Sequence, residues 1–329
     1  MAQYRAVIDT ENRGSIGFFS AYRTPVPLDI YSSPFPVTSR HTELHMTDGN
    51  HYNYNGQAIP SEALKKILNF KLACEGNAID VDSGCYSVDE DSGDIDLENL
   101  SIDVDSGRVS GMIFVSERDH LEKLYIAIRF NDSQPKVKIF CIDDIYDTSN
   151  NHDVCMEDSG CFAGDYLVYV STKMAPPRRR QPWTAVYKTN LNTAQTERLT
   201  PPGEADLNPS VSPSGKMVAV ASFQGKGGWD GEIEDLKTDI FVMNVDNPSD
   251  RKLVITNGGW PSWGSDNVIF FHRKKNGVWG VFRADISNGL QSEYIRNHGI
   301  GIWECLDCRG CYDAAGEIPQ NQLVLMALE

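Results

Sequence analysis

The stretch Asn208-Pro209-Ser210-Val211-Ser212-Pro213-Ser214-Gly215-Lys216-Met217-Val218-Ala219-Val220-Ala221-Ser222 decides how the chain is read. A Pro-Ser-Gly turn at 213–215 feeds an apolar strand from Met217 to Ser222, and a second strand, Asp239 to Asp246, follows a Gly-rich excursion. Pro presets the backbone of a turn and Gly accepts the left-handed conformation that other residues resist, so local chemistry sets the start of the strand. A strand pair of this size cannot bury its faces alone, which predicts one unit of a repeat.

The same pattern recurs outward in both directions. Ser15 to Ser20, Leu28 to Tyr31 and Thr42 to Gly49 read as three strands and a turn; Gly111 to Asp119, Lys123 to Ala127 and Lys136 to Phe140 repeat them. Asp165 to Thr172, Trp183 to Tyr187 and Thr196 to Thr200 follow, and Asn267 to His272 with Trp279 to Asp285 opens a fifth unit. Short strands recurring at about 40 to 50 residues are the mark of a β-propeller. The pattern predicts an all-β fold, one asymmetric propeller domain over residues 1–329, six-bladed, with five clear blades and one irregular. The first strand of each unit is almost uniformly apolar and is read as the innermost, buried on both faces. Trp263 takes the place of Val211 in the repeat, so it should point into the core between blades; cutting it back should cost about 3 to 5 kcal/mol.

Two segments depart from the rhythm. Residues 77–109 carry the acidic runs Asp80-Val81-Asp82, Asp89-Glu90-Asp91 and Asp103-Val104-Asp105, each followed by Ser-Gly. Calcium favours such oxygen ligands, but full EF-hand spacing is lacking, so acidic hairpin turns are the reading, with a strand such as Ile95 to Ile102 among them. Residues 300–329 form a cysteine-rich closing segment ending in the apolar strand Gln322 to Leu328, which should pair with the other end of the propeller. The one short helix expected is Ser61 to Leu68, capped by Ser61.

Thirty Lys and Arg against 46 Asp and Glu give a net charge of −16, which disfavours nucleic acid as a partner. No apolar run is long enough to span a bilayer. Eight cysteines, Cys74, Cys85, Cys141, Cys155, Cys161, Cys305, Cys308 and Cys311, suit disulfides, for instance Cys74 to Cys85. The Cys305-x-x-Cys308-x-x-Cys311 run also has metal-ligand spacing, but no convincing fourth ligand accompanies it. Sequons at Asn99 and Asn131, taken with the cysteines, point to the secretory pathway with the signal peptide removed; a cytoplasmic location is the alternative.

Tyr169-Val170-Ser171-Thr172, Trp183 to Tyr187, Arg198-Leu199-Thr200-Pro201, Ser210 to Lys216, Gly258 to Trp263 and Phe270 to Arg273 carry a family likeness. The chain resembles TolB-like, dipeptidyl-peptidase-N-terminal-like propellers of plants and fungi. No Gly-x-Ser-x-Gly elbow is present, so the peptidase chemistry of some such proteins is not expected. The resemblance to fungal propellers implies a cofactor-free hetero-Diels–Alderase that joins a tropolone quinone methide to a humulene-type olefin in meroterpenoid biosynthesis. Its substrates would be small hydrophobic polyketides and terpenoids. A noncatalytic propeller binding glycan or protein is the alternative, and a metal-dependent hydrolase or lyase a weaker one.

A cycloaddition needs two reactants held in register and a hydrogen bond to the diene oxygen, not a nucleophile. Loops leading into inner strands should ring one mouth of the funnel. They supply His51 and His298 as acids or donors, Asn208 as an orienting group, and Tyr52, Tyr54, Asp206, Trp260 and Trp303 as substrate contacts.

Overall fold

A computed structural model describes residues 15–20, 29–34, 44–47, 49–75, 100–118, 120–130, 136–146, 156–173, 184–226, 237–275, 278–287, 296–297 and 325–328. These residues form a β-propeller arrangement of five four-stranded antiparallel sheets. The first sheet runs from the axis outward as β20 (Leu325–Leu328), β1 (Ser15–Ser20), β2 (Asp29–Pro34) and β3 (Leu44–His45). The second is β4 (Asn53–Ala58), β5 (Val109–Ser116), β6 (Lys123–Phe130) and β7 (Lys136–Cys141). The third is β8 (Glu157–Ala163), β9 (Tyr166–Ser171), β10 (Ala185–Asn190) and β11 (Thr196–Arg198). The fourth is β12 (Asp206–Val211), β13 (Met217–Ser222), β14 (Asp239–Asn244) and β15 (Lys252–Ile255). The fifth is β16 (Gly259–Ser265), β17 (Val268–Lys275), β18 (Val278–Asp285) and β19 (Arg296–Asn297).

The expected order within a sheet needs correction. The apolar strands β1, β5, β9, β13 and β17 are second from the axis, because β20, β4, β8, β12 and β16 pair inside them. These innermost strands make the contacts from sheet to sheet, β4 with β8, β8 with β12 and β12 with β16. A second strand has both edges paired and both faces covered by neighbouring blades, so it is the most apolar of the four. An innermost strand keeps one bare edge toward the axis and therefore carries polar residues. Asp206, Asn208, Tyr54 and Trp260 consequently lie on or at the innermost strands themselves, not in loops that precede them.

β20 pairs with β1 in antiparallel register, Ser15 opposite Leu328 and Phe18 opposite Leu325, as the apolar closing strand predicts. Interblade cores do the remaining work. Ile113, Val115, Leu124 and Ile126 of the second sheet pack with Leu167, Tyr169, Ala185 and Tyr187 of the third. Val168, Val170 and Val186 of the third meet Val218, Val220 and Met243 of the fourth. Trp263 joins the next core beside Ile269 and Phe282, and its Nε1 donates to Ser210 O at 2.9 Å. It stands opposite Ile269 as Val211 stands opposite Val218, so its place in the repeat is as expected.

Between β4 and β5 the chain leaves the sheet as α1 (Ser61–Glu75) and α2 (Leu100–Asp105). Ala63, Leu64, Ile67 and Leu68 form the buried stripe of α1, and Lys71 lays its ammonium 4.6 Å from the centre of the Phe140 ring. The helix outruns the expected Leu68 end, and its first bond runs from Leu64 N to Pro60 O, one residue ahead of the expected cap. α2 overturns two expectations: Leu100 to Ile102 are helical rather than a strand, and Asp103 to Asp105 are helical rather than a hairpin turn. Contact with α1 supplies the stability that so short a helix lacks alone. The other acidic runs of the insert lie outside the described residues.

Cys141 and Cys161 are free thiols, which corrects their assignment to disulfides. Cys161 lies in the core between the third and fourth sheets, with Sγ donating to Val168 O, and burial pushes its thiol up to about 12. Cys74 is in α1, while Cys85, Cys155, Cys305, Cys308, Cys311 and the sequon residues Asn99 and Asn131 lie outside the described residues. Among the described residues no helix is long and apolar enough to cross a membrane.

Candidate functional site

Four of the innermost strands share one irregularity. The register slips between Tyr54 and Gln57, Asp158 and Cys161, Leu207 and Ser210, and Gly259 and Ser262. Within each slip one residue takes a left-handed backbone: Asn55 at φ 50°, Ser159 at 56°, Asn208 at 47° and Trp260 at 46°. Such a bulge leaves a residue outside the ladder and re-aims its side chain. Asn is among the residues that best tolerate the left-handed region, whereas Trp is held there against its preference. Gly160, next in line after Ser159, has no space for a side chain, since a Cβ there would come 2.6 Å from Ile113.

The bulges are tied to one another across the blades. Asn55 Nδ2 donates to Asp158 Oδ1 at 2.8 Å, and Asn208 Nδ2 reaches Ser159 Oγ at 3.4 Å. Trp260 packs against His272, ring centres 5.5 Å apart, and burial pulls the imidazole down to about 4, so His272 is neutral at pH 7. The result is a run of amide, hydroxyl and indole groups along the bare inner edges of the sheets.

At the mouth where the innermost strands begin, His51 and Tyr52 form the loop that leads into β4. Tyr52 is 45% exposed and His51 is half-buried, its carbonyl accepting from Asn53 Nδ2 at 3.0 Å. Tyr54 donates its hydroxyl to Glu122 Oε1 at 2.6 Å; burial and the Glu122 carboxylate push the phenol well above its ordinary range. Asn53 also donates to Asp29, which accepts from His45 and Thr47. Burial works against the Asp29 charge, but those bonds hold its carboxyl below the usual range.

Sequence reasoning missed a second feature shared by four sheets, a cation laid over aromatic rings. Arg118 lies over Phe114 and Tyr125, Lys173 over Tyr169 and Tyr187, Arg251 over Phe241, and Arg273 over Phe271 and Phe282. Two residues before the bulge, the innermost strand of the second, third and fourth sheets offers the counter-group. Arg118 donates to Asn53 Oδ1 at 3.3 Å, Lys173 stands 3.9 Å from Glu157 Oε1, and Arg251 donates to Asp206 Oδ1 at 2.5 Å and to Ser222 Oγ at 2.8 Å. Asp206 is therefore turned into the seam between the third and fourth sheets and committed to Arg251.

The structure brings Tyr54, Asn208 and Trp260 to the innermost strands and His51 and Tyr52 to their mouth; His298 and Trp303 lie outside the described residues. A signal for the rest was present in the sequence: Asn53-x-Asn55-Gly56, Glu157-x-Ser159-Gly160, Asp206-x-Asn208-Pro209 and Gly258-x-Trp260-Pro261 share one pattern.

No family model matches the chain, and no curated protein is similar to it. Among solved structures it is similar to TolB from Acinetobacter baumannii, at 12% identity and a TM-score of 0.47, covering 84% of this chain and 51% of that one. It is also similar to the β-propeller domain of the trilobed protease from Pyrococcus furiosus, at 10% identity and a TM-score of 0.43, covering 86% of this chain and 66% of that one. A third, named as a TolB, is from Agrobacterium tumefaciens, at 13% identity and a TM-score of 0.39, covering 58% of this chain and 61% of that one. The chain thus spans about half the length of the Acinetobacter protein. The β-propeller arrangement itself is read from the five four-stranded sheets.

Proposed function

We propose that the protein works at its axis, holding neutral, oxygen-bearing organic molecules on the bulge residues, and that it serves there as a cofactor-independent hetero-Diels–Alderase. The observation that carries the axial reading is the shared left-handed bulge, which sets Asn55, Ser159, Asn208 and Trp260 at one position on four innermost strands. Uncharged donors on a rigid scaffold can bind a carbonyl oxygen as its electron density rises, and they need not reorganise to do so. Trp260, backed by a neutral His272, offers a flat apolar wall against which an olefin can lie. Holding two reactants in register supplies the main part of the acceleration in such an addition. The choice of a tropolone quinone methide and a humulene-type olefin rests on the family resemblance, with Asn208 as the donor to the diene oxygen and His51 and Tyr52 at the rim.

The test is adduct yield and stereochemistry from a hydroxymethyl tropolone and humulenol. Wild-type protein should raise the yield of one stereoisomer, and Asn208→Ser and Trp260→Ala should each lower that rate about tenfold, one hydrogen bond or one wall lost. An unchanged yield removes the cycloaddition.

A second reading uses the same groups without reaction. An indole face beside amides and a hydroxyl also suits the apolar face and hydroxyl edge of a sugar. Retention on a glycan array, abolished by Trp260→Ala, with no adduct formed, would favour that reading.

A further inference from the structure

The fifth sheet departs from the other three in one respect. Two residues before the bulge, where the second, third and fourth sheets carry Asn53, Glu157 and Asp206, the fifth carries Gly258. The glycine cannot be replaced by an acid in place, because a Cβ at 258 would come 2.8 Å from the Phe271 ring and 3.1 Å from Ile240. The cation is nevertheless retained. Arg273 lies over Phe271 and Phe282, and backbone carbonyls fix its guanidinium, Nε donating to Asn257 O at 2.6 Å and Nη2 to Thr256 O at 2.5 Å. Among the described residues no carboxylate is paired with it. Asp239, on the neighbouring β14, is occupied by Asn257 N at 2.7 Å and by Lys226 at 3.2 Å.

Beside this arginine the surface opens into a cavity of about 370 Å³ lined by Thr256, Asn257, Arg273, Lys274, Lys275 and Phe282. Three consecutive cations at one opening stand out in a chain of net charge −16. The two carbonyls use one edge of the guanidinium, and five donors in a planar fork leave Nη1 for another acceptor.

We propose that this cavity binds a small organic carboxylate, which takes the place of the oxygen acceptor that Asn53, Glu157 and Asp206 supply in the other sheets. The carboxylate pairs with Arg273, a geometry that planar guanidinium and carboxylate groups match. Lys275 at the exposed rim attracts the charge. The volume is in the range of small-molecule sites. The site is separate from the axial bulges and does not depend on the reading given to them.

Benzoate, its neutral counterpart benzamide, and inorganic phosphate form the probe set, titrated calorimetrically into the full chain at low and at raised ionic strength. Benzoate should bind saturably at one site, weaken as salt is raised, and outcompete phosphate; benzamide should not bind. Arg273→Gln should weaken benzoate about tenfold or more, and Lys275→Gln about threefold. Should Arg273→Gln fail to fold, Lys275→Gln, at an exposed position, carries the comparison. Absent saturation, equal binding of benzamide, preference for phosphate, or unchanged affinity in the Lys275 variant would each overturn the assignment.

Discussion

Two seams of the propeller bury an acid at the same place on the innermost strand, each beside a cation from a different part of its sheet, and treat it differently. Between the third and fourth sheets, Arg251 reaches across Phe241 to bond Asp206 at 2.5 Å and Ser222 at 2.8 Å. Between the second and third, Lys173 gives its bond to Tyr169 Oη at 2.6 Å and stays 3.9 Å from Glu157, whose oxygens have no well-formed hydrogen bond. Both acids are wholly buried. The Arg251 guanidinium serves two acceptors at once, whereas the Lys173 ammonium is turned to the phenol and stays beyond hydrogen-bond reach of the carboxylate. The acid thus keeps its place from seam to seam while the bond does not. One seam is stapled, and in the other burial pushes the acid up to about 7.

The widest gap between them should appear on removing the cations. Arg251→Met leaves Asp206 buried without a partner and should cost about 3 to 5 kcal/mol in denaturant unfolding. Lys173→Met should cost clearly less, since Glu157 can take up a proton and become neutral. Equal losses would erase the distinction.

Acidity should separate the seams next. Burial first, and then the nearby Asp143 carboxylate, push Glu157 up to about 7, against the pull of Lys173 and Lys123. An acid raised in the folded state is protonated there while the unfolded chain has already ionised. Its contribution to stability is thus full below the ordinary glutamate range, near pH 4.5, and is lost as pH rises to about 7. The fall amounts to about 3 kcal/mol at most, and Glu157→Gln should flatten it in unfolding measured from pH 4 to 8. An unaltered slope in that variant would place the titration elsewhere.

The apolar strands were legible because a second strand, paired on both edges, has little choice but Val, Ile, Phe and Tyr: Val109–Ser116 and Met217–Ser222 follow directly from their residues. The innermost strands were not, since Asn53–Ala58 and Asp206–Val211 are polar, short and interrupted, and a bulged strand in such residues reads as a loop. Asn208 and Trp260 could be placed near the axis from sequence because they stand beside conspicuous apolar runs. Arg251 could not, for its partner lies 45 positions away on another element and only the fold joins them. Helix α2 was hidden for a related reason, being held by α1 rather than by its own propensities.

The smallest effect concerns the bulges rather than the seams. Asn208→Ala should cost about 1 kcal/mol, the strain of a left-handed alanine, and Asn208→Gly should recover most of it in thermal unfolding. Equal stability of the two would mean that the bulge relaxes on losing its amide.

The pairing of β20 with β1 also sets an order of events. The strand that belongs nearest the axis of the first sheet is made last, so during synthesis that sheet exists as β1, β2 and β3 with a bare inner edge. Unpaired edges invite strands from other molecules, and the four residues Leu325–Leu328 are a short, apolar plug that a second copy carries as well. Domain-swapped rings, joined by exchange of this one strand, are an assembly error that such a closure invites.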